Sequence, residues 1–138
     1  MGMRSYVLDP ELESLVRDVV YTLKDYFPYI DVDNVKAVVC RNCRSRALAR
    51  IHYLPTVWRT VLGLKPMYII EVIESNFSSL TYEEKVKVVI HELLHIPKSF
   101  SGGLRPHGKY VSSYVVEKLF KEYTRRKASA RSGRSSSR

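Results

Sequence analysis

An α+β fold, with a small three- to four-stranded sheet packed on helices from both ends of the chain, is what this sequence predicts. Three observations predict it. Apolar residues recur at helical spacing from Leu12 to Tyr26. Short β-branched or alternating runs follow between Val35 and Ile73, and helical spacing returns after Thr81. With 138 residues, 45% of them apolar, the chain can bury one modest core. One domain over residues 1–124 is expected, followed by a basic, disordered tail over 125–138.

Asp9-Pro10 opens the first helix, with Asp as cap and Pro at the first helical position. Leu12, Leu15, Val16, Val19, Leu23 and Tyr26 give it one apolar face, and Pro28 stops the pattern. Val35–Val39 reads as a buried strand, and the chain turns over Cys40–Ser45. From Arg46 to Tyr53 the residues alternate, with Ala47, Ala49, Ile51 and Tyr53 on one face and Arg46, Leu48, Arg50 and His52 on the other. His52 reads as a strand-surface histidine. One or two helical turns from Pro55 to Leu62 end at Gly63, and Met67–Ile73 is a third strand. Thr81 and Glu84 form a T-x-x-E capping box that fixes the start of the next helix. Val86, Val89, Ile90, Leu93 and Leu94 are its apolar face, and Pro97 ends it. After a Ser-Gly-Gly loop, Pro106 is expected to open a last helix with Tyr110, Val111, Tyr114, Val115, Leu119 and Tyr123 buried.

The formal charge is +9, but six of the basic residues follow Tyr123: Arg125, Arg126, Lys127, Arg131, Arg134 and Arg138. Without them 17 basic side chains face 14 acidic ones, so most of the basicity belongs to the tail. Such a tail can hold nucleic acid through counterion release, or simply be solvated; it has no aromatic residue for base stacking. No apolar run approaches the roughly 20 residues of a membrane span. Residues 1–10 lack a signal core, so a cytoplasmic protein with no membrane partner is expected. The chain has no Gln and three Asn, the direction of a thermophile's composition. Cys40 and Cys43 form a lone C-x-x-C pair, which leaves free thiols, a local disulfide or a metal site shared with another chain open.

Residues 91–95 read His-Glu-Leu-Leu-His. On a helix, His91 and His95 lie one above the other and can offer two imidazoles to one zinc ion. Glu92 sits about 100° further round, beside the ligands, where its carboxylate can take a proton from a metal-bound water as catalytic base. A catalytic zinc site usually has three protein ligands. His107, Glu117 and Glu122 are the downstream candidates for the third, and the glycine-containing loop between His95 and His107 favours His107.

The blocks His91-Glu92-Leu93-Leu94-His95-Ile96-Pro97 and Gly102-Gly103-Leu104-Arg105-Pro106-His107, with Lys65-Pro66, Tyr68–Val72 and Phe77, resemble the zincin-like family of archaeal and phage putative metallopeptidases. His107-Gly108 is also similar to the third-ligand region of SprT-like peptidases. The resemblance covers roughly residues 46–120. It implies a minimal zincin-like fold, zinc at His91, His95 and His107, and Glu92 as base. In zincins an edge strand beside the metal receives the substrate as an added strand, and Tyr68, Ile69, Ile70 and Glu71 are the nominated segment. Arg105 and Tyr110 flank the third ligand and are the candidate transition-state donors.

A zinc-dependent peptidase acting on protein or peptide is therefore the leading expectation. A zinc-dependent nucleic-acid hydrolase and a non-catalytic zinc-stabilised binding domain are the alternatives. A carboxylate placed to activate water beside two histidines suits carbonyl attack, which argues against the nucleic-acid hydrolase.

Overall fold

The computed structural model describes residues 2–136, and side chains over residues 2–131. The elements run β1 (Ser5–Leu8), α1 (Pro10–Thr22), a 3-10 turn (Val32–Asn34), β2 (Val35–Arg41), β3 (Ala49–Tyr53), α2 (Thr56–Leu62), β4 (Tyr68–Ile73), α3 (Glu74–Phe77), α4 (Tyr82–Leu94) and α5 (Ser113–Ser136). The fold is α+β, as predicted, and its proportions are those of a small zincin-like domain. Four strands form one mixed sheet in the order β1-β2-β4-β3. β2 and β4 are parallel, while β1 and β3 pair antiparallel on either side.

Strand alternation explains where the core lies. Val35 and Ala37 of β2, with Tyr68, Ile70 and Val72 of β4, face the helices. There they meet Leu12, Val16 and Val19 of α1, Val86, Val89, Ile90 and Leu93 of α4, and Val116, Leu119 and Tyr123 of α5. Cys40, Glu71 and Ile73 are buried as well, but their positions in the alternation put them on the opposite face. Caps set the helix starts. The Asp9 carboxylate accepts from the Leu12 N–H at 3.0 Å. Thr81 Oγ1 accepts from the Glu84 N–H while the Glu84 carboxylate accepts from the Thr81 N–H, so both halves of the capping box form. Gly63, at φ +67°, ends α2 in the left-handed conformation.

Besides the unexpected short helix α3 and an α1 that ends at Thr22 and leaves Tyr26 exposed, the structure departs from the expectations at three places in the fold. Ser5–Leu8 forms an edge strand whose four residues are all exposed, so no alternation marked it. α5 starts at Ser113 rather than Pro106: Ser112 Oγ caps it from outside, accepting from the Val115 N–H at 3.3 Å. Tyr110 and Tyr114 are exposed rather than buried: residues 106–112 stay outside the helix, and Tyr114, in its first turn, faces outward. Nor does α5 stop at the expected tail. Arg126 bonds Asp25 at 2.6 Å and the Thr22 carbonyl at 2.9 Å, and Lys127 bonds Asp18 at 2.8 Å. Arg126 and Lys127 thus tie α5 to α1 and to the turn that follows it. The side chains of 132–136, and residues 137–138 altogether, lie outside the described residues. Among the described residues no helix is long and apolar enough to cross a membrane.

Candidate metal centre

α4 delivers His91, Glu92 and His95 to one end of a cleft of about 650 Å³. Ala47–Ile51, Lys87, Val88, Leu104, His107, Ser113 and Val116 complete its walls. The loop after α4 brings the third imidazole back. Gly102 and Gly103 have φ of +96° and +84°, a reversal that side chains with a Cβ rarely adopt. It lets the Arg105 N–H donate to the His95 carbonyl at 2.7 Å. Tyr68, fully buried on β4, holds the same turn from below: its hydroxyl accepts from the Gly102 N–H at 3.0 Å and donates to the Gly103 carbonyl at 3.2 Å.

The result is a cluster of three imidazoles. Ring centroids lie 5.1 Å apart for His91–His95, 5.1 Å for His91–His107 and 4.7 Å for His95–His107. Their ligand nitrogens all fall within 4.8 Å of one another. His95 Nδ1 lies 2.6 Å from the Arg105 carbonyl, which can only accept, so Nδ1 carries the proton and Nε2 is left as a lone pair facing the cleft. His91 Nε2 and His107 Nε2 approach to 3.1 Å. Two ring nitrogens at that distance need a cation or a shared proton between them. Around an ion with bonds of about 2.05 Å this spacing subtends roughly 100°, close to tetrahedral. Burial, then the charges of His95 and His107, push the His91 pKa down and favour the neutral, ligating form. The donor set therefore fits a divalent metal that accepts nitrogen ligands.

Glu92 is buried at the cleft wall, and burial pushes its carboxyl up to about 7. A carboxylate poised there is suited to taking up and returning a proton near neutral pH. Glu117 and Glu122 do not join the cluster: Glu117 pairs with Lys87 at 2.8 Å, and Glu122 pairs with Arg125 and Arg126.

Two nominated roles are corrected. β4 is no edge strand, since β2 and β3 pair with it on both sides; Tyr68, Ile70 and Glu71 are buried, and the backbone of Tyr68–Glu71 has no free edge. The edge beside the metal cluster is β3. Ile73 N–H bonds the Leu48 carbonyl, and Leu54 N–H bonds the Met67 carbonyl. By the antiparallel alternation, the N–H and C=O groups of Ala49 and Ile51 therefore point away from the sheet. The second correction concerns the donors. The Arg105 guanidinium bonds the Leu94 carbonyl at 2.9 and 3.1 Å, capping α4, and the Tyr110 ring packs 5.3 Å from it. Neither side chain lines the cleft. Arg105 instead positions His95 through its own carbonyl.

No curated protein and no solved structure matches the chain. One family does, over residues 4–130, nearly the whole sequence, and it is described as "Putative phage metallopeptidase". With a converging ligand set at its HELLH helix, the chain belongs to that metallopeptidase family, whose members are named for a metal ion and for peptide-bond hydrolysis.

Proposed function

We propose that the protein is a zinc peptidase in which His91, His95 and His107 hold the ion and Glu92 is the catalytic base. The observation that carries the reading is the convergence of three imidazoles beside a buried carboxylate, at the end of a cleft walled by an unpaired strand edge. Zinc bound there supplies Lewis acidity toward a carbonyl oxygen and acidifies water.

The chain's own residues do the rest. An extended peptide pairs with the outward N–H and C=O groups of Ala49 and Ile51, which recognises backbone and leaves side-chain preference to the apolar cleft walls. Val88, Leu104 and Val116 supply those walls. Glu92 accepts the proton of the attacking water, holds it in a site dry enough to keep its carboxyl near neutrality, and returns it to the leaving amine. The Arg105 carbonyl fixes the His95 tautomer, so that the Nε2 lone pair is left for the ion and Glu92 is the group left to take the proton.

Zinc content and casein cleavage test this together. Wild type is expected to bind zinc and cleave, while Glu92→Gln keeps the zinc and loses about 10²–10⁴-fold in rate. Cleavage at the wild-type rate by Glu92→Gln overturns the assignment of the base.

A further inference from the structure

On the face of the sheet opposite the cleft lies a second set of metal-ligating side chains that the peptidase chemistry does not use. Cys40 is buried on β2, and Glu71, 1% exposed, is buried on the neighbouring β4. A tight turn through Asn42, at φ +60°, brings Cys43 back over Cys40, and the structure records the two as a disulfide with Cα atoms 5.9 Å apart. One ligand atom from each of Cys40, Cys43 and Glu71 falls within 4.8 Å of the others. His52, on β3, donates from Nε2 to Glu71 Oε1 at 2.6 Å. The loop beyond Cys43 is fixed in place, since Asn76 Nδ2 donates to the Ser45 and Ala47 carbonyls at 2.8 and 2.7 Å.

A disulfide asks nothing of a carboxylate, yet this one is buried beside it on a central strand. Burying a carboxylate is costly without a compensating cation. Among the described residues its one hydrogen-bonding side chain is His52. Arg50 stands directly opposite in the strand register without pairing to it. Two thiolates and a carboxylate around one divalent ion would account for all three side chains. The C-x-x-C spacing serves zinc as readily as it serves a disulfide. An ion with bonds of about 2.0–2.3 Å spaces its ligands by roughly 3.3–3.8 Å, so reduction lets the two sulfurs move apart from bonding distance and side-chain rotations bring the set to that spacing. His52 then acts as a positioning residue, aiming Glu71 as outer partners commonly aim metal-binding carboxylates.

We propose that in the reduced protein Cys40, Cys43 and Glu71 form a second metal site, selective for a thiophilic divalent ion such as zinc. A dithiol reductant passes two electrons and two protons to the Cys40–Cys43 bond and itself becomes a disulfide. Metal binding then displaces the two thiol protons to solvent. The ion staples the 41–48 loop onto the sheet just before β3, the strand that walls the peptidase cleft. The site is independent of the imidazole cluster.

Cobalt(II) titration of the full chain distinguishes the two sites, because only thiolate ligation gives an intense ultraviolet charge-transfer band. Reduced wild type is expected to bind two ions per chain, one with that band. Cys40→Ser/Cys43→Ser and oxidised wild type should each bind one ion without it; the oxidised protein keeps the control valid if the double variant folds poorly. Glu71→Gln should weaken the thiolate ion at least tenfold. His91→Ala/His95→Ala should keep the band and lose the other ion. A reduced wild type with no thiolate band, or a band that survives oxidation, overturns the proposal.

Discussion

Replacing Glu92 by Gln is expected to make the metal-free protein more stable, by less than about 1 kcal/mol at pH 5 and by roughly 3 kcal/mol at pH 8. The reason is burial. Glu92 is 7% exposed, and its carboxyl titrates near 7 in the folded chain against an ordinary value of 4.5. At about 1.4 kcal/mol per pH unit, ionising it in the folded state costs roughly 3 kcal/mol. Because the folded value is raised, this group's contribution is intact below about 4.5 and is lost as pH rises through about 7. Gln cannot ionise, so the stability gap between variant and wild type should open over that window, to roughly 3 kcal/mol at pH 8. His91 works in the opposite direction: its depressed pKa makes the folded state resist protonation, and that contribution is lost as pH falls. Glu92 is not a cause of the His91 shift, so the His91 effect is common to both proteins. Urea unfolding of chelator-treated wild type and Glu92→Gln at pH 5, 6, 7 and 8 measures the gap. A gap that does not change with pH, or a variant less stable at pH 8, refutes the reasoning.

Further expectations concern the pieces that build the cleft. Ile51→Pro should retain fold and bound metal but raise KM for peptides at least tenfold, because the lost N–H points away from the sheet; Arg50→Pro, which deletes an N–H bonded to β4, should unfold the strand, as circular dichroism would report. Arg105→Ala is expected to weaken metal binding about tenfold by freeing the C-terminus of α4 and the carbonyl that orients His95, read by competition with a chromogenic chelator. Thr81→Ala should cost about 1 kcal/mol in thermal unfolding through loss of the α4 cap. The Thr81 N–H and hydroxyl hold the Glu84 pKa below its ordinary value, so the Glu84 contribution is present above about 4.5 and fades as pH falls further.

The parts of the site built within a single helix were legible in the sequence. A capping box fixed the frame of α4, and helical geometry then placed His91, Glu92 and His95 without further information. His107 was legible from the glycines before it, whose positive φ angles are what the loop needs to return. What was not legible depends on which strand lies beside which. The mostly apolar run of Met67–Ile73, broken only by Glu71, carries a signal for a central strand: a strand buried on both faces belongs in the middle of a sheet, whereas the alternating Arg46–Tyr53 run suits an edge. The role of Arg105 is not legible in the sequence, because proximity to His107 along the chain says nothing of direction, and its guanidinium turns toward the Leu94 carbonyl. The helical extension past Tyr123 was hidden because Arg126 and Lys127 read as solvated charge until Asp25 and Asp18 appear opposite them.

Diffraction from crystals of the zinc-loaded protein, recorded on both sides of the zinc absorption edge, tests the central claim most directly. The account predicts an anomalous peak about 2.0–2.1 Å from Nε2 of each of His91, His95 and His107, with the Glu92 carboxylate beside it but not ligating. Zinc bound elsewhere while these three imidazoles stay free of metal would contradict it.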